Sequence, residues 1–288
     1  MKKIMFSLLL GGMLLLNGCY EPVEGCLDAG ATNFDLDADR DCGNCCSYPL
    51  LKVSFTHSWP TPDDAEAALK LSPAWYVDGL GQPFRIKSIR YYWSDLALTD
   101  ISGQARRVTD SIDLRLIEAP GDTIDARVAD NFLLAAAGGS SARTLGTFPY
   151  PATYRRLDAV FGVIEPANRA APASLPQGHP LAPQLGSQHI SGAEGYVFAK
   201  IELYRDTAAT DTTPVVLHIG GTASLRLLSL ALPGEIALPQ GVNAALRIQT
   251  DYSRWFSGVN IRGDTTALKQ AILNQLPGSF SVAAFGRE

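Results

Sequence analysis

The chain has 288 residues, 46% hydrophobic and 18% charged, with a formal net charge of −5 and only four histidines. That is enough apolar material for one sizeable core, and a mildly acidic balance without a basic cluster excludes nucleic acid and anionic headgroups as natural partners. No G-x-S-x-G elbow, H-E-x-x-H helix or G-x-x-x-x-G-K-[ST] loop is present, so the motifs point away from an enzyme.

Residues 1–18 open with Lys2 and Lys3, continue through an apolar run from Ile4 to Leu16, and end in Asn17 and Gly18 before Cys19. A charged start, a short apolar stretch and a small-residue boundary define a secretory signal peptide, and the Leu-Asn-Gly-Cys ending resembles a lipobox. The expectation is cleavage before Cys19, diacylation of its thiol and residence in the cell envelope, anchored by lipid to the outer membrane while the rest of the chain stays aqueous. Removing the leader takes two lysines and no acid, so the charge moves from −5 to −7. It also takes Met1, Met5 and Met13, the only methionines, and leaves a mature chain without a thioether.

Residues 19–49 are too few for a hydrophobic core. Their four further cysteines, Cys26, Cys42, Cys45 and Cys46, form an even set in an exported chain, which favours disulfides. Three pairings are possible; the one joining adjacent Cys45 and Cys46 makes a strained ring, so two crossed or parallel bridges are expected, and zinc at the Cys42-x-x-Cys45 spacing is the minor reading in an oxidising compartment. Asp35, Asp37, Asp39 and Asp41 stand at alternate positions, a candidate calcium loop, although the glycine and the closing glutamate of an EF-hand are missing and a solvated acidic loop is favoured. The stretch resembles short cysteine-containing modules at the start of secreted proteins of Bacteroidetes-type bacteria.

From residue 50 to 288 the chain reads as one domain. Runs such as LKVSFTH, PFRIKSIRYYWSDLALTD, RRLDAVFGVI, GYVFAKIELYRD, PVVLHIGG, ASLRLLSLAL, GEIALP and AALRIQTDY are separated by Gly, Pro and Asp. Many short strands joined by turn residues predict an all-β fold, a sandwich of antiparallel strands with a few short helices, behind a small disulfide-rich module. In RIKSIRYYWSDLAL the apolar positions break strict alternation, which predicts a bulge or a strand covered on both faces. Helical spacing appears in DDAEAALKL, in VADNFLLAAAG and in the closing DTTALKQAILNQL, where Leu268, Ala271, Ile272 and Leu276 share a stripe. The Pro- and Gly-rich residues 165–194 form a loop of the length associated with function or mobility. Tyr91, Tyr92 and Trp93, with Tyr252, Trp255 and Phe256, are read as core bulk in preference to a stacking platform.

The order of FTH, FRIKSIRYYWSDLALTDISG, PATYRRLDAVFGVIEPANRA, GHPLAP, EGYVFAKIELY, LHIGG, DYSRWFSG and a closing amphipathic helix resembles the MbnP-like family, from about Leu50 to the C-terminus. That family is named for a partner protein of methanobactin systems. The resemblance implies a β-rich exported protein associated with copper, and in some members a tryptophan oxidised to kynurenine by a companion di-haem enzyme. Its F-x-H element falls on Phe55 and His57, and its L-H-x-G element on Leu217, His218 and Gly220. In the copper-binding members a Trp is expected where this chain has Phe55, and the Trp-x-Trp before the G-Y strand is replaced by GSQHISGAE, so the kynurenine chemistry is not expected here.

Copper(I) prefers soft sulfur or imidazole. With no mature methionine and the cysteines bridged or lipidated, imidazole is the remaining good donor, and His57 and His218, on neighbouring strands, are the expected pair, with His189 as a third candidate. His179, before Pro180, is read as a turn residue. The resulting expectation is a non-catalytic envelope protein that binds copper, with a di-haem peroxidase-type protein as candidate partner. The rival is a surface-displayed interaction module in which the histidines are only structural.

Overall fold

The computed structural model describes residues 20–119, 121–139, 142–183, 188–190, 195–205 and 213–288. Cys19 and the leader lie outside them. Among the described residues no helix is long and apolar enough to cross a membrane.

The N-terminal module carries two short strands, β1 (Glu24–Gly25) and β2 (Arg40–Asp41), paired in parallel. Two disulfides brace it: Cys26–Cys46, spanning 20 residues, encloses Cys42–Cys45, spanning three. The acidic run serves the loop's own backbone. Asp35 accepts from the amide of Asp37, Asp39 from that of Val23 and from the Tyr20 hydroxyl, and Asp41 from that of Gly43. These carboxylates do not gather as a calcium loop requires: the one cluster of three or more ligating groups among the described residues contains Asp41 but none of the other three. The module rests on the domain at Gly241, whose φ of 69° and missing side chain admit the Ala31 carbonyl; a Cβ there would lie 2.8 Å from that oxygen.

The domain is built from β3 (Leu50–Ser58), β4 (Trp75–Val77), β5 (Pro83–Asp100), β6 (Ala105–Arg106), β7 (Ser111–Ala119), β8 (Asp122–Ala129), β9 (Phe132–Ala136), β10 (Arg143–Thr147), β11 (Ala152–Phe161), β12 (His189–Ile190), β13 (Gly195–Tyr204), β14 (Val215–Gly220), β15 (Arg226–Leu238), β16 (Ala244–Asp251) and β17 (Phe280–Arg287). A small sheet runs β10-β3-β16-β17, with β3 and β16 parallel and the other pairs antiparallel. A large sheet runs β12-β13-β5-β11-β15, with β14 on β13 and with β4, β6 and β9 on β5. The β7–β8 hairpin stands apart as its own two-stranded ribbon.

Alternation along each strand decides the layering. On β3, Leu51, Val53 and Phe55 are buried on one face, and Phe55 meets Tyr91 and Trp93 of β5 edge-on at 5.9 and 5.4 Å, so the two sheets enclose a common aromatic core. Tyr91, Tyr92, Trp93, Tyr252, Trp255 and Phe256 are all essentially inaccessible, as the core reading requires. The broken alternation of β5 has both predicted causes: Asp95 sits at φ 54°, where the register with β11 shifts, and residues on both faces of the strand are buried.

Three expectations change. DDAEAALKL forms no helix. Its residues run beside the edge of β3, with a bridge from Ser58 to Ala68 and the Leu69 amide donating to the His57 carbonyl. VADNFLLAAAG becomes the end of β8 and strand β9, because its small residues fit against the large rings of β5, Ala135 opposite Tyr91. GEIALP continues ASLRLLSLAL as one strand, β15, past an irregularity at Pro233 and Gly234. The closing helix forms as expected. Helix α1 (Tyr252–Phe256) starts on Asp251, and helix α2 (Thr265–Gln275) starts on Asp264, which accepts from the amides of Thr266 and Ala267. Helix α2 buries Leu268, Ile272 and Leu273.

Residues 165–183 of the long loop are packed down rather than free. The Tyr92 hydroxyl donates to the Pro180 carbonyl at 3.1 Å and that of Tyr196 to the Leu181 carbonyl at 2.6 Å. His179 serves as the turn residue expected: its Nδ1 accepts from the Leu181 amide and its Nε2 meets Asp130 at 3.0 Å.

Candidate functional site

His57 follows Phe55 on the inward-facing side of β3, at the end of the strand where the sandwich opens. Because β3 and β16 run parallel, with His57 opposite Thr250, the first residue of α1 arrives beside the ring. Tyr252 stacks on His57 at 5.7 Å and its hydroxyl lies 2.9 Å from Nδ1. Behind it the Tyr91 hydroxyl is hydrogen-bonded to Tyr252 and, at 2.7 Å, to Thr250 Oγ1. Burial raises the pKa of both tyrosines, so this is a run of neutral hydroxyls.

Burial also pushes the His57 pKa down to about 4, which keeps the imidazole neutral at physiological pH. Its Nε2 is buried and has no hydrogen-bond partner among the described residues. In the tautomer whose Nδ1–H donates to the Tyr252 oxygen, Nε2 keeps its lone pair, the state in which imidazole ligates a metal. His57 lines a cleft of about 560 Å³ together with Phe55, Thr56, Glu66, Leu69, the Gly138–Gly139 turn, Arg247 and Gln249.

His218 does not join it. On β14, Leu217 and Ile219 face the core, while Val216 and His218 point the other way and are exposed. Its cross-strand neighbour is Lys200. Partial desolvation, with the cations of Lys200 and Lys269 nearby, lowers its pKa against the opposing pull of Glu202. His57 thus belongs to the interior side of one sheet and His218 to the outer side of the other. His189, on β12, lies opposite Tyr196, its ring edge-on at 4.9 Å, and burial lowers its pKa. Its Nε2 is also buried without a partner among the described residues.

The sequence reading missed the residue that holds the ring, Tyr252, and behind it Tyr91. DYSRWFSG contains the residue, but only the parallel pairing of two strands some 190 positions apart in sequence brings it to His57, as the Leu50 amide donating to the Asn243 side chain at the other end of the same pairing shows. A second cleft, about 380 Å³, is lined by Trp59, Lys70, Trp75 and Tyr76, with Trp75 62% exposed.

The family model described as MbnP matches residues 49–273. A solved structure of MbnP from Methylosinus trichosporium superposes with a TM-score of 0.44 at 13% sequence identity, over 74% of this chain and 78% of that one. No curated protein matches the sequence.

Proposed function

The chain belongs to the MbnP family, and from that premise we propose that it is a lipid-anchored cell-envelope protein that binds copper(I) without catalysis, with His57 as the ligand supplied by the fold. The observation that carries this reading is the His57 Nε2: buried, without a partner, neutral, and held by a fixed bond on the opposite nitrogen. The donor chemistry fits copper(I), because imidazole is the one good ligand type left after Cys19, where no methionine occurs and Cys26, Cys42, Cys45 and Cys46 are bridged. Bound copper would supply a soft, redox-active centre; the chain's own residues orient the imidazole and set its tautomer. The adjoining cleft leaves room for a further donor from outside the chain, and His218 is not that donor.

Attachment through Cys19 would keep such a site at the membrane surface, where a di-haem protein could reach it. The Phe55 substitution argues against a kynurenine in this member. The rival reading, a surface interaction module, is favoured by one observation, the exposed aromatic cleft at Trp59, Trp75 and Tyr76.

The discriminating experiment titrates the chain from Tyr20 onward with copper(I) against a competing chelator. The expected result is submicromolar binding that weakens at least about tenfold in His57→Ala, roughly 1.4 kcal/mol, and stays near wild type in His218→Ala. Unchanged affinity in His57→Ala overturns the assignment of the ligand, and no binding above that of an unrelated albumin leaves the interaction module standing.

A further inference from the structure

We propose that the Cys42–Cys45 bridge is a thiol–disulfide exchange site, opened by an external dithiol, and that the neighbouring Cys26–Cys46 bridge receives the exchange. This is independent of copper. The two bridges are not equivalent. Cys26–Cys46 joins residues 20 apart and is buried at Cys26, whereas Cys42–Cys45 closes a turn of only two intervening residues. A bridge over so short a loop removes less entropy from the unfolded chain and is the weaker brace. Its turn keeps its own hydrogen bonds, the Asn44 amide to the Cys42 carbonyl and the Gly43 amide to Asp41.

Access is open. Gly43, Asn44 and Cys45 are exposed, and Gly43, at φ 76°, has nothing within 4 Å of where a side chain would start. A cleft of about 570 Å³, lined by Asp28, Asp41, Gly43, Asn44, Cys46 and Tyr48, opens beside the turn at Cys46. At that point Cys42 Sγ, Cys46 Sγ and a carboxylate oxygen of Asp41 all lie within 4.8 Å of one another. The two sulfurs belong to different bridges, so a thiolate released on Cys42 stands beside the bond it would attack.

The chemistry balances in two steps. An external thiolate attacks the exposed Cys45 Sγ, the Cys42–Cys45 bond breaks, and Cys42 leaves as thiolate. The reagent's second thiol then closes on its first, releasing Cys45 and carrying away the oxidised disulfide, so two electrons and two protons pass from reagent to protein. In the second step the Cys42 thiolate attacks Cys46 Sγ. The Cys42–Cys46 bond forms, the Cys26–Cys46 bond breaks, and Cys26 leaves as thiolate and takes up the proton that Cys42 gave. No net electron moves, and the Asp41 carboxylate is the group within reach of the sulfurs to carry that proton. The Asp28 carbonyl oxygen, 3.8 Å from Cys26 Sγ, offers the freed thiol an acceptor.

The test uses the folded chain, graded dithiothreitol, alkylation and peptide mapping. Labels should appear on Cys45, and shared between Cys42 and Cys26, at roughly tenfold less reductant than on Cys46; labelling of Cys46 at the same reductant as Cys45, or of Cys26 and Cys46 with Cys45 unlabelled, overturns the proposal. In Cys45→Ser, which leaves a thiol on Cys42 and retains the longer bridge, mapping should find a fraction of the chains with a Cys42–Cys46 bridge and the label on Cys26, the remainder keeping the longer-loop bridge. A label confined to Cys42, with Cys26–Cys46 intact, overturns the second step.

Discussion

In residues 20–49 only Cys26 and Ala31 are buried among the hydrophobic side chains, whereas the sandwich encloses Tyr91, Trp93, Tyr252, Trp255 and Phe280 in continuous ring contact. The module is held by covalent bonds and by carboxylates turned onto its own amides. The domain is held by the removal of apolar surface from water. Chemistry that breaks sulfur bonds should therefore loosen one region and leave the other, and mutations that empty volume should do the reverse.

The largest effect is expected from Trp255→Ala. The ring is inaccessible and its Nε1 donates to Ser279 Oγ at 2.8 Å, while that hydroxyl itself donates to the Leu276 carbonyl, so the substitution leaves a cavity and removes one hydrogen bond, at a cost of about 3–5 kcal/mol. Calorimetry should show the domain transition falling while hydrogen exchange in residues 20–49 is unchanged. A loss under about 1 kcal/mol would mean that the core relaxes around the gap. Next comes Cys26→Ser with Cys46→Ser, expected to remove about 3 kcal/mol from the module alone. Exchange protection should vanish there while the domain melts as before; a matching fall in the domain transition would show that the contact at Gly241 couples the two.

The third prediction concerns acid. A histidine whose folded pKa is depressed stays neutral in the native state while the unfolded chain takes up a proton. Stability is then full above the unfolded value of 6.5 and is lost as pH falls from there towards the folded value of about 4. Between pH 7 and pH 5 the metal-free domain should lose about 2 kcal/mol through His57. Denaturant unfolding of wild type and His57→Gln at both pH values checks this; equal losses in the two proteins would show that the imidazole is not buried as described.

Much of the sandwich was legible because its strands announce themselves by alternation, as in LKVSFTH and GYVFAKIELY, and because the closing helix carries both a capping Asp264 and an apolar stripe. The failures share a cause. Ala135 and its neighbours read as helix on their spacing, yet the small side chain of Ala135 is what stands opposite the Tyr91 ring when β9 pairs with β5. The site was half legible. His57 stood out by residue type, but its separation from His218 follows from which face of each strand meets the core, and its tie to Tyr252 from a strand pairing that no local pattern encodes. The disulfide connectivity was readable only by exclusion: of three pairings the one joining adjacent Cys45 and Cys46 is strained, and spacing does not choose between the other two.

The parallel pairing of β3 with β16 has a consequence for how the molecule is made. The first long strand of the domain finds its central neighbour only after residue 244 has emerged, and its other neighbour, β10, covers only residues 50–53. Until β16 is in place, β3 therefore offers an apolar face and a hydrogen-bonding edge that only the bridge at Ser58 touches from nearby sequence, and closure waits for nearly the whole chain. Late assembly of this kind makes folding slow relative to domains with local contacts and puts truncated products at risk of sticking to one another through that edge.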